Sequence, residues 1–265
     1  MAAIAILFCI TTIRISSGQE TSFDTPQASA ELMWRYIQAV DSVNSNLSAI
    51  DERLAYACAA LSRTGLQGPG TSEILRDLSA TGQGMVDAIT IDANGTIVEV
   101  EPQEYQHIRG MDIGDQEHVK TVMDTRRPLG LDYISTVEGF DALAFTAPVF
   151  DEQGVFLGAA SVLINSTEFF FAALAPFQPE SGAKIGVMKP DGLVLYDLDS
   201  QQIGKNTFSD PLFQEQEEIL ALGRRMEGER TGLGTYEFAN TTREALWTTI
   251  DFQGRQIRMV LNVDL

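Results

Sequence analysis

The sequence predicts an α+β chain: one long N-terminal helix followed by two tandem modules, each an antiparallel sheet of about five strands with flanking helices. Three observations lead there. From Pro26 to about Thr64 apolar residues return every three or four positions; from Met85 onward the hydrophobic period falls to two; and one set of turns is written twice. Asn94-Gly95 is matched by Asp191-Gly192, and Asp151-Glu152-Gln153-Gly154 by Asp251-Phe252-Gln253-Gly254, at nearly equal offsets. Matched turns in matched order mean that the hairpin recurs because the module does.

The helix carries Leu32, Tyr36, Val40, Val43, Leu47, Ile50, Leu54, Cys58 and Leu61 on one face, with Asp24-Thr25-Pro26 supplying a cap and a first-turn proline. At ~1.5 Å per residue it is on the order of 55 Å long, more than one small module can cover. It therefore packs along both modules or along a second copy of itself. Gly65 and Gly68-Pro69-Gly70 end it, and Thr71 to about Ala80 reads as a short second helix.

"MVDAITIDANGTIVEVEP" is a hairpin about Asn94-Gly95, "GDQEHVKTVMDTRR" a helix, "LGLDYISTV" a strand, and "FDALAFTAPVF" with "VFLGAASVLIN" a closing hairpin. A helical connector, "STEFFFAALAP", leads to the second copy: the hairpin "AKIGVMKPDGLVLYDLD", the helix "DPLFQEQEEILALGRRM", the strand "GLGTYEFA" and the hairpin "EALWTTIDFQGRQIRMVLNV". The resulting divisions are a leader at 1–18, the long and short helices at 19–82, a first module at 83–168, a connector at 169–182 and a second module at 183–265.

The composition narrows the function classes. A formal charge of -19 repels phosphate backbones, and the longest basic clusters are the pairs Arg126-Arg127 and Arg224-Arg225, so nucleic acid is excluded as a partner. The apolar run Ala2–Ile13, followed by Ser16, Ser17 and Gly18, suits a signal peptide or a truncated membrane anchor; either places the remainder outside the cytoplasm. Removal of the leader with Cys9 leaves Cys58 alone, which precludes an intramolecular disulfide and a zinc cluster. Sequons at Asn46, Asn94, Asn165 and Asn240 are compatible with export.

The order of these elements resembles the double Cache sensor domains, extracytoplasmic PAS-like modules of histidine kinases and chemoreceptors. The resemblance is carried by the long entry helix, the paired sheet modules, "MDIGDQEHVKTVMDT…LDYIS" before the first closing hairpin and "YDLDSQQIGKN" after the later opening hairpin. It implies a membrane-distal-type first module holding a small ligand between its helix and sheet, and a membrane-proximal-type second module that transmits to a membrane helix. In this chain transmission would pass through a partner or a transmembrane part beyond Leu265.

On that resemblance the ligand-binding residues are Tyr105, Gln116, His118, Tyr133, Ser135, Phe145 and Thr146, with aromatic walls and hydrogen-bonding Gln, His, Ser and Thr groups. Where the family commonly places an arginine and an aromatic residue, this chain has Gln116 and His118. Glutamine lacks the cationic fork that clamps a carboxylate, so a neutral or cationic ligand is expected over a carboxylate. An unperturbed imidazole titrates near ~6.5, so His118 would make binding pH-sensitive. The implied partners are the small molecule and a membrane receptor or kinase. The alternative is an exported structural module that forms a homodimer through the long helix with no small ligand.

No residue pattern points to catalysis or a cofactor. His107 and His118, the only histidines, fit no metal spacing; "DANG" lacks the later ligands of a calcium loop; there is no Gly-x-Ser-x-Gly elbow and no phosphate loop. Asp197 and Asp199 share a strand face if "LYDLD" is extended, and read as a polar strand end. The chain is expected to be a binding protein and not an enzyme.

Overall fold

The computed structural model describes residues 26–265 apart from Thr81, Glu138, residues 180–181 and residues 239–240. The apolar leader, Cys9, and the expected capping residues Asp24 and Thr25 lie outside the described residues, as does the sequon residue Asn240. Helix α1 (Pro26–Thr64) is 39 residues long, about 58 Å at the ideal rise. Its buried side chains, Tyr36, Val43, Leu47, Ile50, Leu54 and Leu61 among them, recur at the helical period.

Two five-stranded antiparallel sheets follow, of identical topology. In the first, strands β1 (Met85–Asp92), β2 (Ile97–Glu101), β3 (Leu129–Ser135), β4 (Asp141–Phe150) and β5 (Phe156–Ile164) are ordered β2-β1-β5-β4-β3. In the second, β6 (Ala183–Met188), β7 (Val194–Tyr196), β8 (Gly232–Phe238), β9 (Thr241–Phe252) and β10 (Arg255–Asp264) are ordered β7-β6-β10-β9-β8. The closing strand of each module lies at the sheet centre, β5 against β1 and β10 against β6. The Asn94-Gly95 turn works because Gly95 has φ 90° and approaches Gly114 so closely that a Cβ would meet its Cα at 2.4 Å.

Both sheets turn one face to α1 and form with it a single core, which runs from Tyr36 through Leu47 to Leu61 and includes Leu143, Val162 and Ile164 of one sheet and Ile185, Ile257 and Leu261 of the other. Tyr36 donates its hydroxyl to the Met259 carbonyl at 2.7 Å in the second module. Helix α2 (Pro69–Ser79) packs on β1 and β2, and the linker before it is tied down where Thr90 Oγ1 donates to the Leu66 carbonyl at 2.6 Å. Helix α4 (Ser166–Leu174), capped by the Asn165 side chain at 3.1 Å, connects the modules and touches α1 through Ser42 Oγ, which donates to the Ala173 carbonyl at 2.8 Å.

The opposite face of each sheet has its own cover. Helix α3 (Glu117–Thr125) and a 3-10 turn over Gln103–Ile108 close the first module around Ile89, Ile91, Val100 and Ala159. Helix α5 (Glu217–Gly228) covers the second around Trp247, Ala245 and Val260. The helix expected from Asp210 begins at Glu217; residues 197–216 instead form successive turns, several stabilised by Asp and Asn side chains that accept from the amide two residues on. Arg258, only 1% exposed, donates from Nε to the Met226 carbonyl at 2.8 Å, placing a cation at the C-terminal end of α5.

Leu47 is fully buried where α1 passes between the modules. Leu47→Ala is expected to cost about 3 kcal/mol and to move the urea unfolding of both sheets together. Two separate transitions, with only one displaced, would contradict a shared core.

Candidate functional site

In each module a covering layer packs on the outer face of the sheet. In the first, α3 begins at Glu117; Gln116 is the extended residue at its N-terminus, with φ -67° and ψ 132°, and is half-buried. His118 points inward on the same face as Val122 and is 4% exposed, and its Nδ1 has no hydrogen-bond partner. Burial lowers its pKa to about 4, because the charged imidazolium loses its water. The ring is therefore neutral at physiological pH, contrary to an imidazole titrating near 6.5.

Thr146 lies on the outer face of β4 with Ala142 and Ala144, and its hydroxyl pairs with that of Ser161 at 2.8 Å. Tyr105 sits in the 3-10 turn, packed on the Ile89 cluster. Tyr105, Gln116, His118 and Thr146 thus belong to one layer.

The remaining predicted residues do not line it. Strand alternation sends Tyr133 and Phe145 to the inner face, with Leu143 and Leu131. There Phe145 meets Phe252 of the second module edge-on, ring centroids 5.8 Å apart, and Tyr133 reaches the loop at Gly204, whose Cβ would lie 3.0 Å from the tyrosine hydroxyl. Ser135 is exposed at the end of β3 and donates to Asp141 Oδ1 at 2.6 Å.

The second module contains a cavity of about 110 Å³ between the outer face of its sheet and α5. Its lining includes the apolar side chains Met188, Ile219, Leu222, Met226 and Val260. It also includes the polar side chains Lys184, Asp197, Tyr236, Arg243, Asn262 and Asp264. Strand register assembles them: Asn262 lies opposite Lys184, Asp264 opposite Arg243, and Tyr236 opposite Arg243. Arg243 Nε donates to Asp264 Oδ1 at 2.8 Å, and the Tyr236 hydroxyl to Asn262 Oδ1 at 2.9 Å. Asp197 Oδ1 accepts from the Asp199 amide at 2.8 Å, while Oδ2 lies over Gly186, 3.3 Å from where a Cβ would be. Burial raises the pKa of Asp197, opposed by the Asp199 amide and by the charges of Lys184 and Arg243. Sequence reasoning noticed Asp197 only as a strand end and passed over the others; pairing the strands of the second module explicitly would have collected them.

Residues 45–166 match the family model described as HK/GC/Chemotaxis protein-like, sensor domain. That stretch is similar to a sensor domain of that kind. No curated protein sequence matches the chain. The extracellular ligand binding receptor from Desulfohalobium retbaense DSM5692 is similar over 90% of this chain, at 31% identity and a TM-score of 0.73. This chain spans 40% of that receptor.

The ligand-binding domain of the Pseudomonas aeruginosa PAO1 amino acid chemoreceptor PctC, solved in complex with GABA, is 16% identical with a TM-score of 0.63, covering 89% of this chain and 100% of that one. The periplasmic sensory domain of the Campylobacter jejuni chemoreceptor Tlp1 is 12% identical with a TM-score of 0.60, covering 89% and 95%. These two share the fold. Among the described residues, no helix is long and apolar enough to cross a membrane.

His118 yields a stability prediction. Its pKa is depressed from 6.5 to about 4 on folding, so between these values the unfolded chain holds a proton that the folded chain refuses, and stability falls as pH falls. The loss is at most about 1.4 kcal/mol per pH unit. His118→Gln should flatten this slope between about pH 6.5 and about pH 4.5. Equal slopes in denaturant titrations of parent and variant would place the imidazole in water.

Proposed function

We propose that the chain is the extracytoplasmic sensing part of a membrane receptor or kinase, and that it binds a small molecule in its first module, under α3. The observation that carries this reading is His118: a buried, neutral imidazole with an unpartnered Nδ1, in the same layer as the Thr146–Ser161 hydroxyl pair. An unsatisfied buried ring nitrogen costs on the order of 1–3 kcal/mol, which a ligand hydrogen bond recovers. With Gln116 at the helix start, the layer offers neutral donors and acceptors and no cationic fork, which favours a neutral or cationic ligand over a carboxylate. The role is binding, and occupancy passes to a membrane partner along α1, which contacts both modules. The likeness to extracellular ligand-binding domains supports the location and the class of partner.

A second reading has an observation of its own. Trp34 and Tyr56 of α1 are 61% and 80% exposed and stand about six turns apart on nearly the same side of the helix. A second copy of the chain would cover them, forming a homodimer through α1. Replacing both by Glu should then abolish any dimer seen by sedimentation equilibrium; a dimer that survives would use another surface.

The sensor reading is tested by thermal stabilisation across a metabolite library, since a ligand selective for the native state raises stability by mass action. A neutral or cationic compound is expected to stabilise the parent protein equally at about pH 5.5 and about pH 8, because His118 stays neutral over that range. The effect should be lost in His118→Ala and reduced in Gln116→Ala. Stabilisation that survives in both variants would remove the first-module layer from the site.

A further inference from the structure

We infer that the cavity of the second module is a second ligand site, and that it takes a compact, net-neutral molecule with a donor–acceptor polar head on a short apolar body. This goes beyond the first-module reading and does not depend on it. Size comes first. A water needs about 10–15 Å³ of such space, so a cavity of about 110 Å³ holds a molecule of roughly eight non-hydrogen atoms.

Charge comes next. The charged side chains lining the cavity are Lys184, Asp197, Arg243 and Asp264, two of each sign. Arg243 and Asp264 neutralise one another in an ion pair at 2.8 Å. Lys184 makes no ion pair among the described residues, and Asp197 has spent one oxygen on the Asp199 amide. An ammonium and a carboxylate oxygen therefore remain available in a partly desolvated space. A ligand with a single net charge would add an uncompensated charge there, whereas a head that donates to Asp197 and accepts from Lys184 satisfies both. The two forms of such a head are an uncharged amide and a zwitterion. Met188, Ile219, Leu222, Met226 and Val260 supply an apolar wall for the body.

The methionines report the location. Met188 and Met226 line this cavity, Met123 packs in the first-module layer, and Met259 lies in the core shared with α1. The full chain, labelled with 13C at the methionine methyls and assigned by single Met→Leu variants, is titrated with four probes. Isovaleramide and L-leucine carry the two neutral heads, isovalerate and isoamylamine the two charged ones, all on a branched body of similar size. At least one neutral probe is expected to shift the Met188 and Met226 methyls with Met123 unmoved, and to bind about tenfold more tightly than either charged probe, a difference of about 1.4 kcal/mol.

Asp197→Asn leaves one excess positive charge and should turn the preference toward isovalerate. Shifts confined to Met123 would overturn the second site while leaving the first-module reading standing. A charged probe binding best to the parent, or no probe moving Met188 and Met226, would overturn the inference outright. Should Asp197→Asn fail to fold, the parent titrations decide it alone.

Discussion

Everything in this molecule is arranged around the apolar stripe of α1. One helix buries Tyr36, Val43, Leu47, Leu54 and Leu61 against the inner faces of two sheets, so that the sheets share a core that neither could close alone. Burial of that kind is non-directional and scales with area, at about 25 cal/mol per Å², which makes a long continuous stripe a strong device for joining two units. It also sets the division of labour. The inner faces are committed to packing, and chemistry is left to the outer faces, where α3 and α5 leave polar groups under cover: His118, Thr146 and Ser161 in the first module, Lys184, Asp197 and Tyr236 in the second.

The duplicated hairpin shows how the two copies diverged. In the first module the turn at Asp151–Gly154 projects into solvent. Its counterpart at Asp251–Gly254 is wedged against the first module. There Phe252 meets Phe145, the Gln253 side-chain amide donates to Asp51 of α1, and Arg255 pairs with Asp132 at 2.9 Å. Gly130 makes the approach feasible, since a Cβ there would meet the rings of Phe252 and Phe145 at 2.6 and 2.7 Å. The edge of the first sheet is thereby in direct contact with the closing hairpin of the second.

The parts of the fold legible in the sequence are those set by local chemistry. Asn94-Gly95 and Asp191-Gly192 sit at hairpin turns because glycine is free to adopt positive φ, and α1 ends at Thr64 before Gly65 for the same reason. Strand alternation separates Phe145, on the inner face, from its neighbour Ala144, on the outer. What alternation cannot decide is which face meets α3 and which meets α1 when both are buried. The residues of the second cavity were illegible for a related reason. Lys184, Arg243 and Asn262 lie far apart in the sequence, and only the register of β10 against β6 and β9 gathers them. Residues 210–216 were expected to be helical because their apolar spacing imitates a helix, while the Asp210 side chain holds the backbone in a turn.

If small molecules enter beneath the outer layers, α1 and the inner faces should stay a fixed frame. Amide hydrogen exchange on the full chain, with and without a stabilising compound, tests it directly. Protection is expected to rise in the covering layers, over the 3-10 turn at Gln103–Ile108 and α3 or over the 197–216 turns and α5, while the buried stretch of α1 exchanges slowly in both states. Protection gained only along α1, with both covering layers unchanged, would contradict it.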